Sequence, residues 1–481
     1  MQKVLVSSYI YRALAFVFSW FGRQWRNSRI IGRFLSPGIS EAASESSFFT
    51  RFWLGLHRLL CWIFEKLRLN KLLRGSIFTI PFIWSFIAVA LAPILPTMVV
   101  LYLSLVGIIS LLFAFGCDRE RKLVYSPVNK FVLLYAFIYI VATITSVTVS
   151  GSLLGGALTT LFVLFTIIIQ NSVKTRRQLD SLVYIFVVSG AAVSLYGVYQ
   201  FLFGTFNASG WVDSTMFSGI GVRVYSTLGN PNVLSEYLLL VIPFAGAAIL
   251  IVKKVITRLF FIGCLGVMLV CMLLTFARGG WLGLIIAVAL FLVMLDRRFI
   301  VVAIVGLIML YFMLPDVILE RFFSIGNTTD SSTNFRLFIW LGTIAMLRDY
   351  WFTGIGPGTE AFNMVYPLYS FNTIHSPHSH NLFLQIVCDA GIIGIIVFLA
   401  ILFTYFRSLC TAISKEQAKD SKILQIAAIS SMVGFLVQGF TDYSFYNYRV
   451  TLVFWVVIGL GALAARRERL EQQLAKGGNT G

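Results

Sequence analysis

The stretch IFTIPFIWSFIAVALAPILPTMVVLYLSLVGIISLLFAF, residues 77–115, decides how the rest of the chain is read. No charged side chain interrupts it, and Pro96-Thr97 breaks it into two halves. Each half is close to the roughly 20 apolar residues that span the hydrocarbon of a bilayer. Inside hydrocarbon every backbone N–H and C=O must be paired within the protein, so such runs are expected to be helices. Two membrane helices joined by a tight turn are the simplest solution.

The pattern recurs along the chain. Helices are expected near 77–95, 97–115, 131–148, 152–170, 182–203, 233–252, 258–276, 281–295, 299–315, 386–406, 423–440 and 450–465. The expected fold class is therefore all-α integral membrane, with about twelve transmembrane helices. Composition agrees: 58% of the 481 residues are apolar and 12% are charged, against about 25% charged in a soluble domain. The short alternating segments of a membrane β-barrel are absent. The six cysteines contain no CxxC pair, and most lie in or beside apolar runs, so they read as small buried hydrophobes. No cleavable signal peptide is expected.

A formal charge of +18 would suggest nucleic acid in a soluble protein. Here its distribution points to topology and to anionic lipid headgroups instead, with no nucleic acid partner. Residues 1–76 form a basic zone with two amphipathic stretches, Val4–Trp20 and Phe48–Leu69, suited to the cytoplasmic interface. A polytopic domain, 77–465, and a cytoplasmic tail, 466–481, follow. Counting helices from a cytoplasmic start puts both ends inside, together with 32 of the 38 Lys and Arg. The other six, Arg223, Arg278, Arg321, Arg336, Arg348 and Arg449, fall outside, and none of them is a lysine. An error of one helix would mix basic and non-basic connections on one side.

Two outer connections are long, 204–232 and 316–385, and loops of this length are usually functional. The second contains an expected amphipathic helix, Asn334–Leu347, with Phe335, Phe338, Ile339 and Ile344 on its apolar side. It also holds three of the four histidines, His375, His378 and His380, within six residues. An imidazole exchanges protons near neutral pH without a large pKa shift, so the cluster suits a general base. Surface decoration is the plain alternative. A metal site, completed by Glu360 or Asp389, is another, although the spacing fixes no coordination geometry.

The outer arginines suit a phosphate or pyrophosphate, which a guanidinium grips through two N–H groups. Arg278, before a glycine pair at a helix end, is costly near hydrocarbon unless it meets an anion or water. Headgroup contact is the plain reading for each arginine taken singly. Gly354-Ile-Gly-Pro-Gly358 could be an anion-binding nest or a structural turn. Gly229-Asn-Pro-Asn232 is a turn running into a helix whose first N–H groups are available, with Glu236 a turn later. There is no Walker-type phosphate loop and no Asp-x-Asp pair, which weighs against ATP-driven transport and against a metal-bound nucleotide-sugar site.

Five segments taken together resemble the O-antigen ligase and O-antigen polymerase family of bacterial envelope glycan enzymes. They are Ser226-Thr-Leu-Gly-Asn-Pro-Asn232, Ala277-Arg-Gly-Gly280, Phe335-Arg-Leu-Phe-Ile-Trp340, Gly354-Ile-Gly-Pro-Gly358 with Phe362, and His378-Ser-His-Asn381-Leu-Phe-Leu384 with Gly391. The resemblance covers roughly 77–465. It implies a membrane glycosyltransferase (GT-C-like) architecture with a large extracytoplasmic loop. It also implies a glycan donor on undecaprenyl pyrophosphate, an acceptor glycan or lipid (or protein) bearing a hydroxyl, and no metal or other cofactor. By position it assigns His380 as the catalytic base and Arg278 and Arg336 to the pyrophosphate. Arg223, His378 and Asn381 are candidates for the same substrate-binding site. The expected protein is a multi-pass cell-membrane enzyme with its active site outside, a polymerase or a ligase of a cell-surface polysaccharide. The alternative is a transporter of a solute or lipid-linked glycan, which would need ionisable groups at mid-membrane; these helices carry few.

Overall fold

The computed structural model describes residues 48–73, 75–204, 222–296, 298–313, 315–324, 331–415 and 418–466. The expected amphipathic stretch Val4–Trp20, most of the 204–232 loop and nearly all of the C-terminal tail lie outside these residues. The chain divides into two compact units, Met1–Leu59 and Leu60–Gly481. The described part of the first is the beginning of helix α1, Phe48–Lys66. No strand occurs among the described residues.

Helices occupy all twelve stretches read from the sequence. After the short α2 (Leu69–Leu73) they are α3 (Pro81–Leu91), α4 (Thr97–Gly116), α5 (Asn129–Ile144), α6 (Val149–Ser172), α7 (Arg176–Phe203) and α8 (Pro231–Ile251). Then come α9 (Val255–Leu274), α10 (Arg278–Leu295) and α11 (Phe299–Met313). The long connection folds as α12 (Asp316–Phe323), α13 (Ser331–Tyr350) and α14 (Thr359–Val365). The last three are α15 (Leu382–Lys415), α16 (Lys419–Gly439) and α17 (Tyr448–Ala464). Eight of these are long and apolar enough to cross a membrane: α4, α6, α7, α8, α9, α10, α15 and α16. The chain is thus a multi-pass, all-helical membrane protein.

Helices α8, α16 and α17 form the centre and are buried nearly all round. A helix that is apolar on every side belongs in such a place. Lipid gives no hydrophobic drive between helices, so close backbone approach and interhelical hydrogen bonds must hold them. Gly283 of α10 meets Gly434 of α16, where an added Cβ would lie 2.6 Å from the Gly434 carbonyl oxygen. Buried polar groups bond between helices: Thr166 to the Trp455 carbonyl (3.0 Å), Ser431 to Leu240 (2.7 Å) and Gln425 to Ala464 (3.0 Å).

The expected helix 386–406 starts earlier and is broken. Within α15 the chain leaves helical geometry at Ala390 and Gly391, the latter at φ 66°. The Trp351–Ile355 segment fills the break. Ile392 N donates to the Trp351 carbonyl (2.8 Å), and Ile355 N to the Cys388 carbonyl (2.6 Å). Gly391 is needed here because a Cβ would fall 1.9 Å from Phe352 O. The Gly354–Gly358 stretch is therefore a structural turn that repairs a helix break, with Ile355 fully buried, and the anion-nest alternative falls away.

The loop helix exists, but its buried side differs from the one read in the sequence. On α13 the buried positions are Ile339, Gly342, Thr343 and Met346, whereas Phe335 and Ile344 are 39% and 49% exposed. Gly342 is the reason: its missing side chain admits the Tyr366 ring, which draws that face inward. Ile339, Met346, Ile355, Phe362, Val365, Tyr366 and Cys388 form a small core that ties the connection to the first half of α15. Of the cysteines, Cys61, Cys264, Cys271 and Cys388 are buried as expected, Cys117 is half-buried and Cys410 is exposed.

Candidate active site

Helix α10 begins at Arg278 because Phe276 and Ala277 turn the chain just before it, Phe276 at φ 49°. The glycines that follow let α10 press against α16: a Cβ on Gly279 would sit 2.7 Å from the Thr441 hydroxyl. Arg278 is thereby brought beside the end of α16 and the segment after it. Its Nη1 donates to the Ser324 carbonyl (3.0 Å) and hydroxyl (2.9 Å), which ties it to the end of α12.

Three further arginines join it around one small cavity: Arg223, Arg321 and Arg336. Arg223 and Arg321 are 5% and 3% exposed. Arg223 donates through Nε to the Thr275 carbonyl (2.8 Å) and through Nη2 to Asn232 Oδ1 (2.9 Å). Burial, and then the charges of Arg321, Arg336 and Arg278, push its guanidinium down to about 9. Arg336, on the first turns of α13, donates to the Ser332 hydroxyl (3.1 Å), while its Nε is buried with no acceptor among the described residues. Helix α10 also presents its N-terminal end at Gly279 to this cavity.

One carboxylate lines the cavity. Asp442, in the turn between α16 and α17, accepts from Asn232 Nδ2 through Oδ2 (2.7 Å) and from the Tyr443 amide through Oδ1 (2.9 Å). Its Oδ1 also stands 3.1 Å from His380 Nδ1, and its Oδ2 lies 3.9 Å from Arg336 Nη2. Burial alone would raise the Asp442 carboxyl. The hydrogen bond with His380 and the nearby charge of Arg336 outweigh burial and hold it well below the ordinary range.

His380 occupies left-handed backbone (φ 49°), a conformation that bulky residues seldom adopt. Its amide donates to His378 Nδ1 (3.3 Å), and its carbonyl accepts from Trp340 Nε1 (3.3 Å). Strained backbone of this kind gathers at functional sites. With Asp442 ionised, His380 Nδ1 is the donor in this pair.

The other candidates from the motif have different tasks. His378 is buried and stacks on Tyr446 (4.7 Å, 17°); neither it nor His380 lines the arginine cavity, which His380 adjoins through Asp442. Burial, then the charges of His380 and Arg336, pull it down to about 3. Asn381 caps α15: its Oδ1 accepts from the amides of Phe383 (2.9 Å) and Leu384 (3.0 Å), and its Nδ2 donates to the Phe440 carbonyl (2.8 Å). Both ends of that amide are occupied, so it reads as a helix cap instead of a substrate contact. His375 lies outside the cluster.

His378, His380 and Asp442 bring three possible metal-ligand atoms within 4.8 Å of one another. Neither Glu360 nor Asp389 supplies the carboxylate; Asp389 is held by Gln385, Tyr139 and Tyr443. The donor set fits a cation poorly. His378 Nδ1 already accepts from the His380 amide, and the adjoining cavity is lined by four guanidinium groups. That field repels a divalent cation and attracts an anion.

Arg321, Asn232 and Asp442 were not singled out from the sequence as site residues. Arg321 was one of the six outer arginines, and Asn232 closed one of the quoted motifs, so both carried a signal. Asp442 carried none beyond being a carboxylate at the outer end of an apolar run. Residues 263–399 match the family model described as O-antigen ligase, which supports an O-antigen ligase or polymerase type of function on a cell-surface glycan. The matched segment holds Arg278, Arg321, Arg336 and His380, while Arg223, Asn232 and Asp442 lie outside it. No curated protein matches the chain.

Proposed function

We propose that this protein transfers a glycan from an undecaprenyl-pyrophosphate donor to an acceptor hydroxyl, and that Arg223, Arg278, Arg321 and Arg336 hold the pyrophosphate. The observation that carries the reading is the convergence of four guanidinium groups and one helix N-terminus on a single cavity whose wall includes Asp442, the carboxylate partner of His380. The buried, partnerless Nε of Arg336 adds to it, since a buried donor in a native structure calls for an acceptor.

The chemistry follows from these groups. The acceptor oxygen attacks the anomeric carbon, and its proton passes to His380 Nε2. The bond from that carbon to the pyrophosphate oxygen breaks, and the departing anion carries its charge into the arginines. Asp442 fixes the tautomer and supports the imidazolium that forms, in the manner of a carboxylate behind a catalytic histidine. In-line attack inverts the anomeric carbon. The arginines do the electrostatic work that a divalent metal does in other glycosyl transfers, so no step needs a metal.

The same reading takes the twelve apolar helices as twelve crossings of a GT-C-like membrane fold. Both termini are then cytoplasmic, the cavity lies on the outer face, and the basic N-terminal zone rests on anionic lipid. Polymerisation of a surface polysaccharide is favoured over ligation, because nothing in the sequence marks a lipid-A-type or protein acceptor.

The test is purified protein with a lipid-linked oligosaccharide donor. The His380→Ala variant is expected to lose about 10²–10⁴-fold in transfer rate, the range of a general base, with donor affinity retained and no effect of a chelator. Undiminished transfer by the variant removes His380 as the base. Loss of activity on chelation moves the reading to a metal at His378, His380 and Asp442. In a deletion strain, repeat units that are made but not extended indicate a polymerase, and full polymer left on its lipid indicates a ligase.

A further inference from the structure

Four of the six outer arginines close the cavity described above, and Arg348 is exposed on α13. The sixth, Arg449, opens α17 and stands apart. It lines a second cavity that is roomier and more open than the first. Its walls come from the α3–α4 turn at Pro96, from Ala192 and Tyr196 of α7, and from Tyr225 and Thr227.

The two cavities share a wall. Arg223 and Asn232 face the first, and Tyr225 to Thr227, between them in the chain, face the second. This wall is pinned. Arg449 Nη1 donates to the Thr227 carbonyl (2.9 Å), Asn447 Nδ2 to the Leu228 carbonyl (3.0 Å), and the Thr227 hydroxyl to the Pro93 carbonyl (2.6 Å).

The mouth of the second cavity is set on the apolar exterior. Ala192 and Tyr196 lie on the outward side of α7, where Leu195, Tyr199 and Leu202 are 60%, 54% and 63% exposed. In a membrane-spanning bundle such a surface meets lipid tails. Arg449 is half-buried at the polar end, and no carboxylate among the described residues pairs with it. A permanent cation held this way suits a phosphate oxygen, and aromatic and aliphatic walls opening sideways suit a hydrocarbon chain. A water-soluble anion would satisfy the arginine and leave the lateral mouth unexplained. A neutral lipid would do the reverse.

From this juxtaposition we infer that the second cavity seats the phosphate-bearing head of a second lipid, the lipid-anchored acceptor of the transfer. The acceptor assignment rests on the proposed function; the lipid-phosphate site does not. The pinned 223–232 wall then separates two lipid-borne phosphates, with donor on one side and acceptor on the other.

The experiment uses the full chain in phosphatidylcholine nanodiscs, titrated with phosphatidic acid and read by native mass spectrometry. The wild type is expected to retain one phosphatidic acid in preference to phosphatidylcholine. Ala192→Trp, which fills the cavity without removing a hydrogen bond, and Arg449→Gln are each expected to weaken that binding about tenfold, as loss of one charge-assisted contact would. Arg336→Gln is expected to leave it unchanged. Equal binding by the wild type and Ala192→Trp overturns the site, as does displacement of the lipid by inorganic pyrophosphate. In the transfer assay Ala192→Trp is expected to raise KM for a lipid-linked acceptor about tenfold and to leave donor KM alone. If lipid binding is lost but acceptor KM does not move, the cavity serves bulk anionic lipid and the acceptor assignment falls. If the wild type transfers nothing, the proposed function fails while the binding arm still reads out the site.

Discussion

Replacing Asp442 by Asn tests the proposed base most sharply, because the carboxylate is enclosed by donors that leave an amide no comfortable orientation. Oδ1 accepts from the Tyr443 amide and faces His380 Nδ1, while Oδ2 accepts from Asn232 Nδ2. An NH₂ in the Oδ1 position opposes the Tyr443 N–H and turns His380 Nδ1 into the acceptor, which moves the ring proton to Nε2 and removes the base. An NH₂ in the Oδ2 position opposes Asn232 Nδ2. Flipping Asn232 only passes the conflict on, because its Oδ1 already accepts from Arg223 Nη2. One donor–donor clash therefore persists, at about 1–3 kcal/mol of stability for a buried unsatisfied group. Loss of the correct tautomer, and of the charge that supports the imidazolium, removes the general-base contribution of about 10²–10⁴-fold, or about 3–5 kcal/mol of transition-state stabilisation. The expected result for Asp442→Asn is a fall in kcat of about 10³-fold. Donor KM should not rise, because a negative charge has left an anion-binding cavity. Single-turnover transfer at saturating donor, with a thermal melt to set the folded fraction, measures both. A kcat within about threefold of wild type would refute the pairing of Asp442 with a catalytic His380. A matched rise in donor KM at constant kcat would make Asp442 a binding residue instead.

Arg321, unmarked by any motif, is expected to behave like the other cavity arginines: Arg321→Gln lowers kcat/KM for the donor about 10–100-fold, as loss of one charge-assisted contact does, and wild-type kinetics would exclude it from the site. Asn381→Ala is expected to lower the melting temperature by the equivalent of a helix cap, about 0.5–2 kcal/mol, with donor KM unchanged; a raised KM without a stability loss would restore it as a substrate contact. The pH dependence of stability follows from His378, whose folded pKa near 3 lies below the unfolded value. Between the two the unfolded chain holds a proton that the folded one does not, so stability falls as pH drops below about 6.5, by up to about 1.4 kcal/mol per unit. Asp442, depressed in the folded state, adds to the loss below about pH 4. His378→Phe keeps the stack on Tyr446 and is expected to flatten the melting-temperature slope between pH 6.5 and 4.5; an unchanged slope would exclude His378 as its source.

The helices were legible because hydrocarbon permits few alternatives to them: a helix occupies each of the twelve apolar stretches, although eight are long and apolar enough to cross a membrane and the one read at 386–406 starts earlier and is broken. The arginines were legible for a related reason: near a membrane a cation needs a purpose, and a charge census isolates those that serve none in topology. Asp442 was not legible, because its meaning lies in Asn232 and His380, 210 and 62 residues away in the chain. The motif around the histidines put His380 first only by resemblance, and left His378 and Asn381 as further substrate-binding candidates. A left-handed turn at His380 separates them, aiming one ring at Asp442, burying His378 behind it and leaving Asn381 to cap the helix. The buried side of α13 was misread because hydrophobicity marks Phe335 and Ile344, whereas the packing is decided by the absence of a side chain at Gly342.

The composition of the cavity also bears on why the site is assembled from so many segments. Its four guanidinium groups repel one another, and each would be better solvated apart. They are held together by hydrogen bonds to neutral partners on different elements: Thr275 and Asn232 for Arg223, Ser324 for Arg278, Ser332 for Arg336. The lone lining carboxylate is engaged by Asn232, Tyr443 and His380, and its side chain is only 7% exposed. Asn232 is itself fixed through its carbonyl by Gln438 of α16 (3.0 Å). The tight contact of α10 with α16 places Arg278 at this cavity, while Arg223, Arg321 and Arg336 reach it from other elements, so the packed bundle holds like charges together. An anion entering it relieves repulsion already present in the folded protein, so in the proposed transfer the same arrangement strengthens binding as negative charge grows on the leaving group.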